Sequence, residues 1–190
     1  MSNRRSIRWG AALLAGSAVL GAGAATSPAS LSDRGSSALD RIRSVTAAPE
    51  RIGPLVTRIS GPRKSGKLDG GEYVNYKITF ANHGHEPLSF VNNKSARFYG
   101  ANHGLAIADA GCGFGSEPGG DVEPACQDNL EFIGLDPGES RAKTITAYAG
   151  LRGMGALEDG DYTHKRRVRI RRRGYEPRKG LIRFTFSVGG

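Results

Sequence analysis

The amino-acid sequence predicts an all-β protein, an antiparallel β-sandwich of about seven to nine strands. Apolar and polar side chains alternate strictly over residues 73–80 and again over residues 181–188. The short segments between them are separated by Gly, Pro, Asn and Asp, and no stretch shows the 3.6-residue apolar period of a helix. Many short strands with turn signals between them are typical of antiparallel sandwiches.

The two alternating segments are the clearest predicted strands. Successive side chains of a strand point to opposite faces, so the even-numbered residues of each segment should be buried. These residues are Val74, Tyr76, Ile78 and Phe80 in the first segment and Ile182, Phe184, Phe186 and Val188 in the second. Weaker strands are predicted over residues 55–60, 87–91, 96–100, 104–108, 130–133, 140–148 and 161–171.

Two turn sequences refine this prediction. In LDPGES (135–140), Pro137 presets the backbone of a tight turn and Gly138 can adopt a positive φ. In LEDGDY (157–162), Tyr162 follows a glycine-containing turn at the start of a long strand. That position matches a tyrosine corner, in which the phenol bonds to backbone a few residues upstream. A tyrosine corner indicates an Ig-like sandwich, with Tyr162 in a structural role.

The segment GEYVNYKITFANHGHEPLSFV (71–91) resembles the conserved Ig-like repeat domain, of unknown function, of bacterial extracellular surface proteins. The matching positions are Gly71, Glu72, Tyr76, Ile78, Asn82 and Gly84. The resemblance implies a non-enzymatic stalk, spacer or binding surface. This chain departs from the repeat pattern because it carries a single copy and an inserted loop that contains two cysteines.

The front of the chain predicts export. Residues 1–29 combine a basic start, the apolar run AALLAGSAVLGAGAA and small residues, as in a secretory signal peptide, and adjacent Arg4 and Arg5 also suit a twin-arginine signal. Residues 30–52 are predicted to be a flexible leader, and residues 53–190 the Ig-like β-sandwich domain. We therefore expect a secreted, extracellular or cell-wall-associated protein with no transmembrane anchor after cleavage.

The two cysteines, Cys112 and Cys126, predict a disulfide in an exported protein. It would close a loop of about 15 residues, which the chain-entropy relation values at about 3 kcal/mol. The alternative is a two-cysteine metal site, but the neighbouring sequence offers no histidine to complete it.

The motif ANHG occurs at residues 81–84 and 101–104, and together with His85 it includes three of the four histidines. Asn and Gly tolerate left-handed backbone, so both copies are interpreted as turns with an exposed histidine between them. The alternative is a copper or zinc site in which His83, His85 and His103 converge at one end of the sandwich, since imidazole suits both metals.

No sequence motif indicates catalysis or a cofactor. The chain lacks Gly-x-Ser-x-Gly and His-Glu-x-x-His, and both cysteines are assigned to the bridge. The expectation is a non-catalytic protein, with metal binding as the alternative.

The charge distribution is strongly segregated. Removal of residues 1–29 lowers the net charge from +9 to +6, because three arginines and no acidic residue are lost. No Lys or Arg occurs between Arg97 and Arg141, whereas KRRVRIRRR (165–173) is almost entirely basic. With Val168 and Ile170 buried, a row of like charges should lie on the outer face of this strand.

Three interpretations of this row remain open. The acidic cysteine loop can neutralise it, or it can stay solvated and protect a sheet edge. Alternatively, it binds an extracellular or cell-wall polyanion, since the planar guanidinium fork of arginine suits phosphate and carboxylate. Teichoic polymer, acidic polysaccharide, anionic lipid headgroups and extracellular nucleic acid are all candidates. The predicted polyanion-binding residues are Lys165, Arg167, Arg169, Arg171, Arg173, Arg178 and Lys179. Sequence-specific nucleic-acid recognition is not predicted, because no reading helix or aromatic platform accompanies the basic run.

Overall fold

The structure, a computed structural model, describes residues 37–68, 70–116, 122–127 and 129–189. Over these residues a 3₁₀ turn at Ala38–Arg41 precedes thirteen strands. The strands are β1 (Ile42–Ala48), β2 (Arg51–Ile52), β3 (Leu55–Leu68), β4 (Gly71–Asn82), β5 (Leu88–Asn93), β6 (Ala96–Tyr99), β7 (Leu105–Asp109), β8 (Cys112–Ser116), β9 (Val122–Cys126), β10 (Leu130–Leu135), β11 (Ser140–Ala149), β12 (Gly160–Arg172) and β13 (Tyr175–Val188).

The strands form two sheets and one separate hairpin. The five-stranded sheet has the order β1-β13-β12-β5-β10, the six-stranded sheet has the order β2-β3-β4-β11-β7-β6, and β8 pairs with β9. Within these sheets, β3-β4-β11-β7 and β13-β12-β5 reproduce the two layers of an Ig constant-type domain. The predicted all-β Ig-like sandwich is therefore confirmed, with more strands than the seven to nine expected.

The core lies between the two sheets and is built from their inward-facing side chains. The even-numbered residues of the two alternating segments are buried as predicted. Tyr76 packs edge-on against Phe186 with ring centroids 5.4 Å apart, and Phe80 packs against Phe90 at 5.1 Å. Burial of each such side chain contributes about 1.5–3 kcal/mol, so these contacts between sheets are a major source of stability.

All nine predicted strands are present, with shifted ends. The structure differs from the predicted flexible leader, because residues 42–48 of that span form the edge strand β1. Ile42, Val45 and Ala47 are only half-buried there, because an edge strand has a neighbouring strand on one side only. With so few apolar residues, the sequence of this strand resembles that of a solvated leader.

The predicted signal peptide, residues 1–29, lies outside the described residues. Within the described part of the chain, no helix has the length and apolar character needed to cross a membrane.

Candidate polyanion-binding face

Strand β12 separates its side chains as the sequence predicts. Lys165, Arg167, Arg169 and Arg171 are exposed on the outer face of the five-stranded sheet, and the residues between them are buried. Side chains two positions apart on a strand are about 6.5–7 Å apart along it. The row therefore presents four like charges at a spacing shorter than the Debye length of about 8 Å at physiological salt.

The neighbouring strand β13 adds to this row. Arg169 lies opposite Lys179 and Lys165 lies opposite Arg183 in the register of β12 and β13. Directly paired residues in antiparallel strands project to the same side of a sheet. We call this set the basic face: Lys165, Arg167, Arg169, Arg171, Lys179 and Arg183. Arg183 was not among the predicted binding residues, although the alternation of residues 181–188 places it on the outer face.

Two predicted residues lie elsewhere. Arg178 is opposite Ile170, which is buried, so its side chain projects to the inner side of the sheet beyond the core. Its guanidinium lies near Gly53. Arg173 lies in the turn between β12 and β13. The prediction placed Arg178 in a loop after the basic run, whereas β13 already begins at Tyr175 and alternates from there.

The carboxylates that form ion pairs in the described residues do so away from the basic face. Glu131 pairs with Lys143, Glu86 with Arg172, Glu139 with Arg141, Asp159 with Arg41 and Asp109 with Arg166. No described carboxylate is within 4.0 Å of a charged nitrogen of the basic face. Glu117, Asp121 and Asp128 of the cysteine loop lie outside the described residues.

A shallow groove of about 700 Å³ runs along this sheet beside the arginine row. Its lining includes apolar side chains from β5, β10 and β13. These are Val91, Leu130, Phe132 and Leu181. Arg167, Arg169, Arg171 and Lys179 line the same groove, so apolar and cationic surface are adjacent.

A second, more polar cleft of about 740 Å³ continues from this groove toward the disulfide hairpin. Lys94 and Arg97 line it together with Lys165 and Arg167 of the basic face. Sequence reasoning missed Lys94 and Arg97, because only the fold brings the β5–β6 segment beside β12. Four cationic side chains therefore line one cleft at the end of the basic face.

The predicted disulfide between Cys112 and Cys126 is confirmed, with an S–S distance of 2.09 Å. It joins β8 to β9 at directly opposed positions. Phe114 packs this hairpin onto the sandwich, with ring centroids 4.8 Å from Phe98 and 5.6 Å from Tyr148. The hairpin is thereby held next to the polar cleft, which Cys126 also lines.

The three histidines considered as metal ligands are not brought together. His83 and His85 follow the end of β4, where Ala81 lies opposite Ser140 of β11. His103 precedes β7, whose Ala106 lies opposite Tyr148 near the other end of β11. The eight-residue offset along β11 corresponds to about 27 Å. Over the described residues, no group of three or more His, Cys, Asp or Glu side chains is placed to hold a metal ion.

The two ANHG copies are turns, but they differ from each other and from the prediction. Buried Asn82 donates to the carbonyls of Glu86 and Leu135 and accepts from Gly84 N at 2.9 Å. In the second copy the left-handed residue is His103 itself, with φ 53°, rather than Asn102 or Gly104. Gly104 is required for a different reason, because a Cβ there would lie 2.1 Å from the carbonyl oxygen of Ala156.

The inner face of β12 holds a buried charge cluster that sequence reasoning missed. Arg166 Nη2 donates to Asp109 Oδ1, and both residues are almost fully buried. The guanidinium also lies 5.2 Å from the ring centroid of Phe184 and 5.6 Å from that of Phe80. Arg166 Nε and Nη1 have no hydrogen-bond partner among the described residues. Asp109 is the anion that compensates this buried cation.

Histidine and tyrosine side chains extend the cluster. Asp109 Oδ2 accepts from Ser95 N at 2.9 Å and lies 3.4 Å from His164 Nε2. His164 Nδ1 is 2.8 Å from Tyr99 Oη. Burial alone would raise the pKa of Asp109, but Arg166 and the contact with His164 together hold it below its usual range. Burial also raises the pKa of Tyr99 to about 12. The enclosed setting of Asp109, His164 and Arg166 makes the cluster part of the core.

Tyr162 has the geometry of a tyrosine corner. Its Oη donates to the carbonyl of Glu158 at 2.7 Å, and the residue is buried at the start of β12. Residues 150–159, between β11 and β12, connect the two sheets. The bond therefore fastens the crossing that leads into the strand with the basic face.

No family model matches the chain, and no curated protein sequence matches it significantly. The resemblance to the bacterial surface-repeat domain thus stays a prediction. Among solved structures, the chain is similar to the ASH/PapD-like domain 7 of human CEP192, at 14% identity and TM-score 0.33, over 75% of this chain and 92% of that one.

Two further similarities are of the same kind. The FixG-related protein from Vibrio parahaemolyticus is 10% identical with TM-score 0.31, over 73% of this chain and 100% of that one. The CooA pilin subunit of enterotoxigenic Escherichia coli is 14% identical with TM-score 0.27, over 63% and 81%. At these identities and TM-scores the similarities carry no information about function.

Proposed function

We propose that the protein is an exported, non-catalytic Ig-like module that binds polyanions through the basic face. The observation that carries this proposal is the exposed row Lys165, Arg167, Arg169 and Arg171 without a described carboxylate partner. Like charges at this spacing repel one another, so an anionic ligand that bridges them relieves the repulsion. Arginine adds paired hydrogen bonds to phosphate or carboxylate.

The surrounding geometry supports the same ligand class. Lys179 and Arg183 widen the row into a surface, and Lys94 and Arg97 extend it into the polar cleft. A surface of this size suits a polymer or an array of anionic groups better than a single small anion. The ligand would be an extracellular or cell-wall polyanion, in keeping with the export that the N-terminal sequence predicts.

The test compares two triple variants by retention on a heparin column. Arg167→Ser, Arg169→Ser and Arg171→Ser remove charge from the basic face. The matched control, Arg51→Ser, Arg58→Ser and Arg63→Ser, removes the same charge from exposed positions on β2 and β3 of the other sheet. We expect only the first variant to lose retention. The wild-type protein should elute at a much higher salt concentration than the first variant does.

Circular dichroism and thermal unfolding of both variants establish that they are folded. Equal loss of retention in the two variants would mean that net charge alone governs binding, and unchanged retention of the first variant would refute binding through β12.

A further inference from the structure

We propose that the polyanion is a membrane surface rich in anionic phospholipid, and that Phe132 and Leu130 enter the boundary between its headgroups and acyl chains. This inference rests on the proposed function, because the same arginines supply the attraction. It adds an apolar contact, and that contact distinguishes a lipid surface from a soluble acidic polymer.

The starting observation is apolar surface on the same side of the sheet as the charges. Phe132 is 76% exposed and Leu130 is 55% exposed, among the most exposed large apolar side chains in the described residues. Both lie on β10, the edge strand opposite β1 in the five-stranded sheet. Val91 and Leu181, half-buried in the same groove, connect them to the arginine row.

The strand register of β10, β5 and β12 sets the distance between the apolar side chains and the arginine row. Phe132 lies opposite Val91, and Val91 lies opposite Arg169 on the other side of β5. Adjacent strands are about 4.8 Å apart, so Phe132 and Arg169 are about 10 Å apart across one face. Both can therefore contact the same extended surface at the same time.

The chemistry of the groove favours a ligand with both anionic and apolar parts. A sugar or phosphate polymer would satisfy the arginines but leave the benzyl and isobutyl groups of β10 without an apolar partner. At a bilayer surface, the guanidinium groups reach the phosphates on their flexible stems while an aromatic side chain enters the interface. Anionic lipid attracts each nearby Lys or Arg, which matches the row on β12.

The shape of the site favours a bilayer over a single lipid molecule. The groove is a shallow depression on the face of the sheet, and Phe132 projects from it into solvent. A site for one lipid would instead enclose most of the surface of its ligand. A projecting aromatic side chain beside an open cationic row suits a flat, laterally extended partner.

The first experiment measures co-sedimentation of the full chain with phosphatidylcholine vesicles, with and without phosphatidylglycerol. The groove variant combines Leu130→Ser and Phe132→Ser. Its control is Leu68→Ser, an exposed leucine on the six-stranded sheet. All variants share residues 1–36, so differences between them report the sheet face. We expect the groove variant to bind anionic vesicles at least tenfold more weakly, from the lost apolar contact, and to keep wild-type retention on heparin.

The arginine variant, which combines Arg167→Ser, Arg169→Ser and Arg171→Ser, should bind anionic vesicles about a hundredfold more weakly, as expected for three cations near an anionic surface. A second measurement places the contact directly. In a Trp9→Phe background, Phe132→Trp provides the one indole of the chain. Its fluorescence should shift to shorter wavelength on anionic vesicles and be quenched by lipids with brominated acyl chains.

The outcomes separate the two proposals. If the arginine variant loses heparin and vesicle binding while the groove variant keeps both and the indole does not respond, the lipid inference is overturned and polyanion binding stands. If the arginine variant keeps both, the proposed function itself fails. If the groove substitutions instead dissociate a dimer and leave vesicle binding unchanged, the apolar surface contacts a second copy and the lipid inference is wrong.

Discussion

The buried pair of Asp109 and Arg166 provides the sharpest prediction about stability. Replacement of Asp109 by its near-isosteric amide, Asp109→Asn, removes the negative charge and leaves the shape of the core unchanged. The guanidinium of Arg166 would then be buried against Phe80 and Phe184 without an anion, and two of its nitrogens already have no described partner. Loss of one partner from a buried ion pair costs about 3–5 kcal/mol.

For a domain of this size, each kcal/mol lowers Tm by about 2–4 °C, so Asp109→Asn should lower it by about 6–20 °C. Removal of both charges in Asp109→Leu with Arg166→Met should cost much less, because buried ion pairs are often replaceable by apolar side chains. Urea unfolding of the wild type, Asp109→Asn, Asp109→Leu, Arg166→Met and the double Leu/Met variant provides the comparison. If every single substitution costs less than about 1 kcal/mol and Asp109→Leu and Arg166→Met add without coupling, this account of the pair is refuted.

Two further predictions concern Asp109 on β7 and Tyr162 on β12. Because the folded protein holds the pKa of Asp109 below the unfolded value of about 3.9, this group stabilises the fold above that pH and loses its contribution as pH falls through the folded pKa. Urea unfolding should therefore show the gap between wild type and Asp109→Asn narrowing below about pH 4, and a constant gap would contradict the assignment. Tyr162→Phe removes the bond to the Glu158 carbonyl and should lower the free energy of unfolding by about 1 kcal/mol or more, with no change in core packing. Urea unfolding measures this loss, and an unchanged midpoint would show that the corner bond does not contribute.

The strands of the sandwich could be predicted because burial on one side requires an apolar residue at every second position. Val74, Ile78 and Phe186 follow this rule, and the structure buries them. Strand β1 could not be found in the same way. It lies at a sheet edge, where Ile42 and Val45 are only partly covered, so its sequence does not need a fully apolar face.

The charge cluster exposes a different limit. The alternation that puts Val168 and Ile170 in the core also puts Arg166 there. The burial of Arg166 could therefore have been predicted from its even-numbered position on the strand. Its partner Asp109 is 57 residues earlier in the chain, and only the packing of β7 against β12 makes the pair visible. Without knowledge of its partner, Arg166 cannot be distinguished in the sequence from the exposed arginines of the same basic run.

Only part of the basic surface could be predicted, because alternation along one strand does not reveal residues that other segments bring beside it. Residues on one strand, such as Arg167 and Arg169, follow from alternation, whereas Lys94 and Arg97 join the surface through tertiary structure. The three histidines of the metal hypothesis are separated by strand register, since β4 and β7 place the two ANHG motifs at opposite ends of the sandwich. Nothing within the motifs reveals that separation.

Binding through the basic face is tested most directly by a footprint of the arginines with phenylglyoxal, read by mass spectrometry with and without heparin. We expect heparin to protect Arg167, Arg169 and Arg171 and to leave Arg51, Arg58 and Arg63 as reactive as before. Equal protection of the two sets, or protection confined to β2 and β3, would contradict binding through the outer face of β12.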